Sequence, residues 1–482
     1  MVSDSLSQFP VSLHDVFVTG PISIVSLAAL LVLIVDVLWE RAESASFWVG
    51  VVGLVAAMTS ALYNLGQSGL AYAGMVTTGG YANFCAAVFS LSGLLSMFLS
   101  ESYVRKRGIK HGEFYVLLLL SVVGMMLMAA AADLVVVFLG LELMSICFYI
   151  LAGSTRGSMV SNESALKYFL LGAFATGFLL YGIALLYGST STTNIAVIVG
   201  QAAARSDDLG FLIGAALLLV GLVFKIAAVP FHMWVPDVYE GAPTTVTGFM
   251  STGGKAAAFS AFLLMFAPNM VRNIPEVRDV LAIISALSMV VGNIMAITQN
   301  NIKRMLAYSS IAHAGYILTG LVSANSYGSN GVLFYLLAYT LMNVGAFGVL
   351  SLLESKDGDR TSFDDYLGLA TTKPLHAGLM ALFMLSLTGI PPFAGFFGKY
   401  YVFAGAIEAG YTWLAIVGVL TSVVSAYYYL RLVVLMYFKD GIGALEADTS
   451  KLGIATLVLS ALALVAIGIY PSVILEITEQ FF

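Results

Sequence analysis

The sequence predicts an all-α polytopic membrane protein of about fourteen transmembrane helices, and three observations carry that prediction. Residues of the set AVILMFWYC make up 60% of the 482, and charged residues 10%, against about 45–50% and about 25% in a soluble domain. Mean hydropathy is +0.94 over the whole length. The apolar residues also gather in runs long enough to cross a hydrocarbon core, which takes about 20 residues as a helix. This composition excludes a soluble enzyme, a nucleic-acid binder and a disordered scaffold.

In chain order the runs cover 21–39, 47–66, 80–100, 113–131, 133–153, 162–187, 209–229, 243–266, 279–298, 303–323, 331–353, 375–406, 411–437 and 452–472. Nearly continuous hydrophobicity with 47 glycines suits helices packed through small residues, and no strands are expected. The longest connection, 188–208, is polar and expected to be flexible. The first twenty residues hold Asp4, His14 and Asp15 but no Lys or Arg. They lack the basic start of a signal peptide, so the chain is expected to be inserted as it stands. Cys85 and Cys147 lie in apolar runs without CxxC spacing and read as buried small hydrophobes. Asp133, between spans 4 and 5, reads as a helix cap.

Lys and Arg placement sets the orientation. With the N-terminus outside, the inner side collects Arg41, Arg105, Lys106, Arg107, Lys110, Arg156, Lys303, Arg304, Lys356, Arg360, Lys373, Arg431, Lys439 and Lys451. The outer side receives Arg205, Arg272 and Arg278. The asymmetry supports the span count and predicts both termini outside.

Sliding the sequence along itself gives matches at an offset of 167: Met128-Ala129 with Met295-Ala296, Tyr149-Ile150-Leu151 with Tyr316-Ile317-Leu318, Gly153 with Gly320, and Tyr168 with Tyr335. Spans 4–8 therefore read as one copy and spans 9–13 as a second. An odd number of spans per copy makes the two inverted across the bilayer, the plan of many secondary transporters. The expected organisation is spans 1–3 (1–112), a first five-helix repeat (113–266), a second, inverted one (279–437) and a last span (438–482). Spans 7 and 12 break at Pro230 and at Pro391-Pro392, because proline removes a backbone donor and clashes one turn back.

Glu142, Lys225, Lys255 and Lys399 lie well inside spans. At about 2.5–3.5 kcal/mol each, four unpaired charges would cost on the order of 10–14 kcal/mol, comparable with the whole stability of a fold. They must be paired, hydrated or neutral part of the time. Glu142 and Lys225 are expected to form a switchable ion pair whose separation lets the lysine release a proton. Lys255, His313 (the one group here with an ordinary pKa near neutrality) and Lys399 continue a line through the second repeat. Glu163 and Lys167, spaced i, i+4, are secondary candidates, readable either as part of the path or as a surface helix pair.

The stretch Phe224-Lys225-Ile-Ala-Ala-Val-Pro230-Phe-His232-Met-Trp234-Val-Pro236-Asp237-Val-Tyr239-Glu240-Gly-Ala-Pro243-Thr resembles the antiporter-like membrane subunits of respiratory complex I. Within that family Asp237-Val-Tyr239 looks like the N branch, the M branch having Asp-Ala-His. Gly253-Gly254-Lys255-Ala-Ala, Lys303-Arg304-Met-Leu-Ala-Tyr308-Ser-Ser-Ile-Ala-His313, and Gly389-Ile-Pro391-Pro392-Phe-Ala-Gly-Phe-Phe-Gly-Lys399 extend the resemblance over spans 7–12. It implies a proton-translocating subunit of a bacterial inner-membrane NADH–quinone oxidoreductase, with both termini periplasmic. Its implied partners are subunits K and M as neighbours, peripheral redox subunits and the lipid bilayer. Glu142, Lys225, Lys255 and Lys399 match the family's proton path, His313 is matched as well, and His232 is a further secondary candidate. No cofactor is expected in this chain, which has no HExxH, no CxxCH and no Walker loop around Gly-Gly-Lys255. The alternatives are a Mrp-type or stand-alone cation/proton antiporter subunit and, outside transport, a membrane scaffold.

Overall fold

The structure is a computed structural model that describes residues 12–39, 43–109, 111–266, 269–354, 360–441, 448 and 450–481. Asp4, Arg41, Lys110 and Lys356 lie outside the described residues. The first seven apolar runs form α1 (Gly20–Leu38), α2 (Glu43–Tyr63), α3 (Gly80–Arg107), α4 (His111–Ala129), α5 (Leu134–Ala152), α6 (Met159–Thr190) and α7 (Leu209–Ile226). A short α8 (Trp234–Gly241) follows the first break, and α9 (Thr244–Phe266) comes next. The second half comprises α10 (Pro275–Ile297), α11 (Ile302–Ser323), α12 (Ser326–Leu353), α13 (Pro374–Thr388), α14 (Ala394–Glu408) and α15 (Thr412–Phe438), and α16 (Lys451–Ile469) ends the series. Thirteen of these helices are long and apolar enough to cross a membrane. The twelfth predicted run is divided between α13 and α14, so fourteen crossings are accounted for.

Two expectations need correction. The connection 188–208 is largely ordered: α6 runs on to Thr190, and Ile195–Gln201 forms a helix capped by the Asn194 side chain. Its start is fixed to α5 by the Leu134 N–H, which donates to Thr193 O at 2.9 Å. The loop between α2 and α3 holds a small hairpin, Gly69–Ala71 with Val76–Thr78, docked where Thr77 N–H donates to Ala130 O at 2.7 Å. Three-residue strands leave no hydrophobic run, so periodicity could not reveal them. Asp133 caps α5 through Val135 N–H at 2.8 Å and also accepts from the Thr193 hydroxyl at 2.6 Å. Cys85 and Cys147 are buried.

Burial runs opposite to that of a soluble protein. Leu27, Leu30 and Leu33 on α1, Phe174 and Tyr181 on α6, and Val419 and Val423 on α15 are exposed, whereas Ser90, Ser92, Thr252, Asn293 and Asn343 are buried. In a lipid solvent apolar surface costs nothing to expose, so polar groups turn inward to find partners. Helix contacts depend on close approach. A Cβ on Gly124 would lie 2.6 Å from Gly140 O, and one on Gly182 2.6 Å from Leu218 N, so α4–α5 and α6–α7 meet backbone to backbone. Helices α9, α11 and α12 are buried along almost their whole length, and these central helices carry Lys255 and His313.

The two breaks share a form. Helix α7 ends with Ala227 in the left-handed conformation (φ 63°) and α13 with Gly389 (φ 88°), each followed within three residues by proline. The left-handed residue stops the helix and proline prevents its resumption.

Candidate functional site

Lys225 occupies the last turn of α7 and is 6% exposed. Its ammonium has no hydrogen bond or ion pair among the described residues. It lies 5.2 Å from the ring centre of Tyr168 on α6 and 5.5 Å from that of Tyr149 on α5. Tyr168 in turn stacks on Trp234 of α8, with centroids 4.4 Å apart and planes 8° from parallel. Trp234 Nε1 donates to Phe224 O at 3.2 Å, supplying a donor to a carbonyl at the end of α7. The cation thus faces rings from α5 and α6, the second of which is backed by Trp234 from beyond the break. Each ring contact contributes about 0.5–2 kcal/mol, which offsets part of the cost of burial.

The expected contact of Lys225 with Glu142 is not made: no ion pair joins them among the described residues. Glu142 stands seven residues before Tyr149 on α5, two helical turns or about 10 Å along the axis. It lies beside the exposed apolar stripe Val135, Leu139, Ile146 and Ile150, and its Oε1 is buried with no hydrogen-bond partner among the described residues.

Lys255 begins the helical turn that follows a π-turn at Met250–Gly254, a local widening often found at functional positions. The lysine is 2% exposed and donates to Ser310 on α11, to its carbonyl and, at 2.6 Å, to its hydroxyl. One residue earlier, the Ser309 hydroxyl bonds the phenol of Tyr429 on α15. That phenol is 3.1 Å from Nε2 of His313, and the other ring nitrogen, Nδ1, is 2.8 Å from the Tyr335 phenol. The imidazole is 1% exposed.

Lys399 on α14 is 5% exposed and closes the second break. Its ammonium donates to Leu387 O at 3.1 Å, Thr388 O at 2.8 Å and Ser422 Oγ at 2.8 Å. The first two are C-terminal carbonyls of α13, which the helix itself cannot satisfy. The ammonium also lies 4.8 Å from the ring centre of Tyr316, one turn past His313. Lys399 and Ser422 form the floor of a groove of about 510 Å³ walled by Ile390, Tyr400, Phe403, Ile407 and Val419.

Glu163 and Lys167 form part of a larger network. Lys167 pairs with Glu163 at 2.7 Å and with Asp237 of α8 at 2.9 Å. Asp237 and Glu240 both pair with Arg304 of α11, at 2.9 and 2.6 Å, and Asn301 donates to Glu240 at 3.0 Å. Helix α8 is thereby tied to α6 on one side and α11 on the other. His232 lies in the turn before α8, with Nδ1 buried and without a partner among the described residues. Lys303, expected in a connection, is fully buried and donates to Ala242 O at 2.8 Å. Sequence reasoning missed the tyrosines, Trp234 and the Asp237–Arg304–Glu240 group. The first are uncharged and escape a search for ionisable residues, although the offset of 167 pairs Tyr149 with Tyr316 and Tyr168 with Tyr335.

Helical crossings broken beside buried lysines define a class of membrane subunits, and residues 131–425 match its family model, described as NADH:quinone oxidoreductase/Mrp antiporter, transmembrane. The chain belongs to this family, and within it to the N subunits of NADH-quinone oxidoreductase. It is 48% identical to subunit N of Trichlorobacter lovleyi, with 95% of each chain covered, and 45% identical to subunit N 1 of Chloroherpeton thalassium, with 97% of this chain and 98% of that one covered. Among solved structures, a chain of respiratory complex I from Thermus thermophilus with bound aureothin matches with a TM-score of 0.82 and 36% identity, over 95% of this chain and 98% of that one. A chain of the Mrp complex from Dietzia shares the fold (TM-score 0.84, 22% identity, 97% of each covered).

Proposed function

We propose that this chain is a proton-translocating, non-redox subunit in the membrane arm of a bacterial NADH–quinone oxidoreductase. The observation that carries the reading is the series of buried titratable groups Lys225, Lys255, His313 and Lys399, which lie on helices packed side by side and are joined in the second half by hydroxyls. The proton enters at Lys225, passes to Lys255, and reaches Lys399 by way of His313. Quinone reduction in partner subunits drives the cycle by changing the charge balance at the Glu142 end.

Both ends of the series open sideways: Glu142 at the exposed stripe of α5, and Lys399 at the groove of α13–α15. This supports subunits K and M as lateral neighbours. The excess of Lys and Arg in one set of connections supports an inner-membrane orientation with both termini periplasmic. The equivalence of the two broken crossings favours the inverted five-helix repeats. No cofactor is assigned to the chain.

The test is Lys225→Ala in the intact complex, assayed in inverted vesicles. The expected result is an assembled complex whose proton pumping falls at least tenfold. Full pumping would overturn the reading, and loss of the complex itself would assign Lys225 to assembly. Lys225→Arg is expected to fail too, since arginine does not give up its proton usefully. Shared fold with the Mrp chain keeps cation/proton exchange as the second reading. Co-purification with antiporter subunits alone, with sodium–proton exchange and no quinone reduction, would favour it.

A further inference from the structure

The path as read from ionisable groups has a gap between Lys255 and His313, filled by uncharged side chains, of which Tyr429 bonds the histidine on one side and a serine on the other. The Tyr429 phenol is hydrogen-bonded both to Ser309 Oγ and to His313 Nε2. Ser309 follows directly on the turn whose next residue, Ser310, receives the Lys255 ammonium. Tyr429 is fully buried and comes from α15, a different helix from either partner, so its hydroxyl is held from outside the α11 turn that it bridges.

At the offset of 167, Ser309 falls opposite Glu142 (309 − 167), His313 opposite Ile146 (313 − 167) and Ser422 opposite Lys255 (422 − 167). The second half thus has hydroxyls where the first has its glutamate and its central lysine, and Tyr429 falls opposite Phe262 (429 − 167). An uncharged hydroxyl can both accept and donate a hydrogen bond, which a lysine ammonium cannot.

We propose that Tyr429 is the proton-relay residue between the Ser309–Ser310 turn and His313. The proposal rests on the proton-path reading above. In the transfer, Lys255 gives one proton to the Ser310 hydroxyl and becomes a neutral amine, and a water molecule between the Ser310 and Ser309 hydroxyls, which make no hydrogen bond to each other among the described residues, carries a proton on to Ser309. The Tyr429 oxygen takes a proton from the serine side while its own O–H proton passes to His313 Nε2, which becomes imidazolium. The phenol ends as it began, and one proton has moved from Lys255 to His313. Tyr428, which packs ring to ring on Tyr429 with centroids 4.4 Å apart, donates its hydroxyl to Asn293 Oδ1 at 2.9 Å and makes no hydrogen bond to His313 or Ser309, so Tyr428→Phe reads the effect of losing a phenol beside the relay but outside it.

The experiment compares Tyr429→Phe with Tyr428→Phe in the intact complex, both variants keeping the aromatic ring. Proton pumping by inverted vesicles is read in water and in deuterium oxide. Tyr429→Phe is expected to assemble, to pump at least tenfold more slowly and to show a larger solvent isotope effect, with Tyr428→Phe within twofold of the parent in both. Normal pumping by Tyr429→Phe, or slow pumping with an unchanged isotope effect, would overturn the relay. Should Tyr429→Phe not assemble, Ser309→Ala reads the same link from its other end, and full pumping by it overturns the relay equally. Lys225→Ala separates the two claims. If it stops pumping while Tyr429→Phe pumps normally, the relay alone is wrong, and if Lys225→Ala also pumps normally, the proton-path reading falls with it.

Discussion

The two broken crossings place a lysine beside the end of a half-helix, yet they treat it differently. Lys225 rides on the helix that ends, and its ammonium faces the rings of Tyr149 and Tyr168 with no hydrogen bond among the described residues. Lys399 rides on the helix that begins, and its ammonium is held by two terminal carbonyls and a serine hydroxyl. Tyr149 and Tyr316, paired by the offset of 167, lie under the two lysines in turn. What differs is the oxygen shell. At the first break a terminal carbonyl is capped by Trp234, which leaves the lysine without a structural duty. At the second the lysine is itself the cap. One ammonium therefore has no hydrogen bond to lose among the described residues, and the other is bound to the architecture.

The largest expected effect tests this contrast directly. Lys225→Met and Lys399→Met should both reduce pumping at least tenfold, but their stabilities should part. Lys399→Met removes the ammonium from Leu387 O, at about 1–3 kcal/mol for a buried group left unsatisfied, while Thr388 O keeps the Ser422 hydroxyl as donor, and should lower the thermal unfolding temperature of the complex. Lys225→Met loses no hydrogen bond and should match or exceed the parent. Equal unfolding temperatures would break the comparison.

A smaller effect is expected at the rings beside Lys225. Tyr168→Phe keeps the ring under Lys225 and should pump within about twofold, whereas Tyr168→Leu removes a contact of about 0.5–2 kcal/mol and should slow pumping by up to about thirtyfold. Indistinguishable rates for the two would show that the ring face is not what holds the cation. Next in size is Arg304→Gln. Its pairs are partly exposed, each contributing no more than about 1 kcal/mol, so a modest drop in thermal stability is expected, larger at low than at high salt. The smallest is Ala227→Gly. Relief of a left-handed residue should stabilise by about 1 kcal/mol, making the first break conformationally like Gly389 in the second. An unfolding temperature that did not rise would show that Ala227 is unstrained.

Much of this was legible from the chain. Runs of apolar residues locate the crossings, prolines locate the breaks, and lysines inside apolar runs locate the candidate sites, because charge in hydrocarbon is expensive enough to stand out. What stayed hidden depends on side-chain direction or on contacts between distant segments. Glu142 and Lys225 look like partners by charge alone, but no ion pair joins them among the described residues, and the ammonium faces the rings of Tyr149 and Tyr168. Tyr335 and Tyr429 look like ordinary span residues until both are found on His313. Asp237 and Glu240 sit in a recognisable motif, yet nothing local says that their counter-ion is Arg304, more than sixty residues on. The order in 188–208 comes from pairing with the start of α5, which composition does not encode.

Arg304 stands nine residues before His313 on α11, about 13.5 Å along a helix that is buried throughout. The same arginine grips α8, whose other flank carries Trp234 against the Tyr168 ring beside Lys225. Close packing makes α11 a stiff rod and Arg304 the point where a tether is attached to it. A pull on α8 at the first break would therefore act on α11 as leverage, near the end of the rod that lies below its histidine.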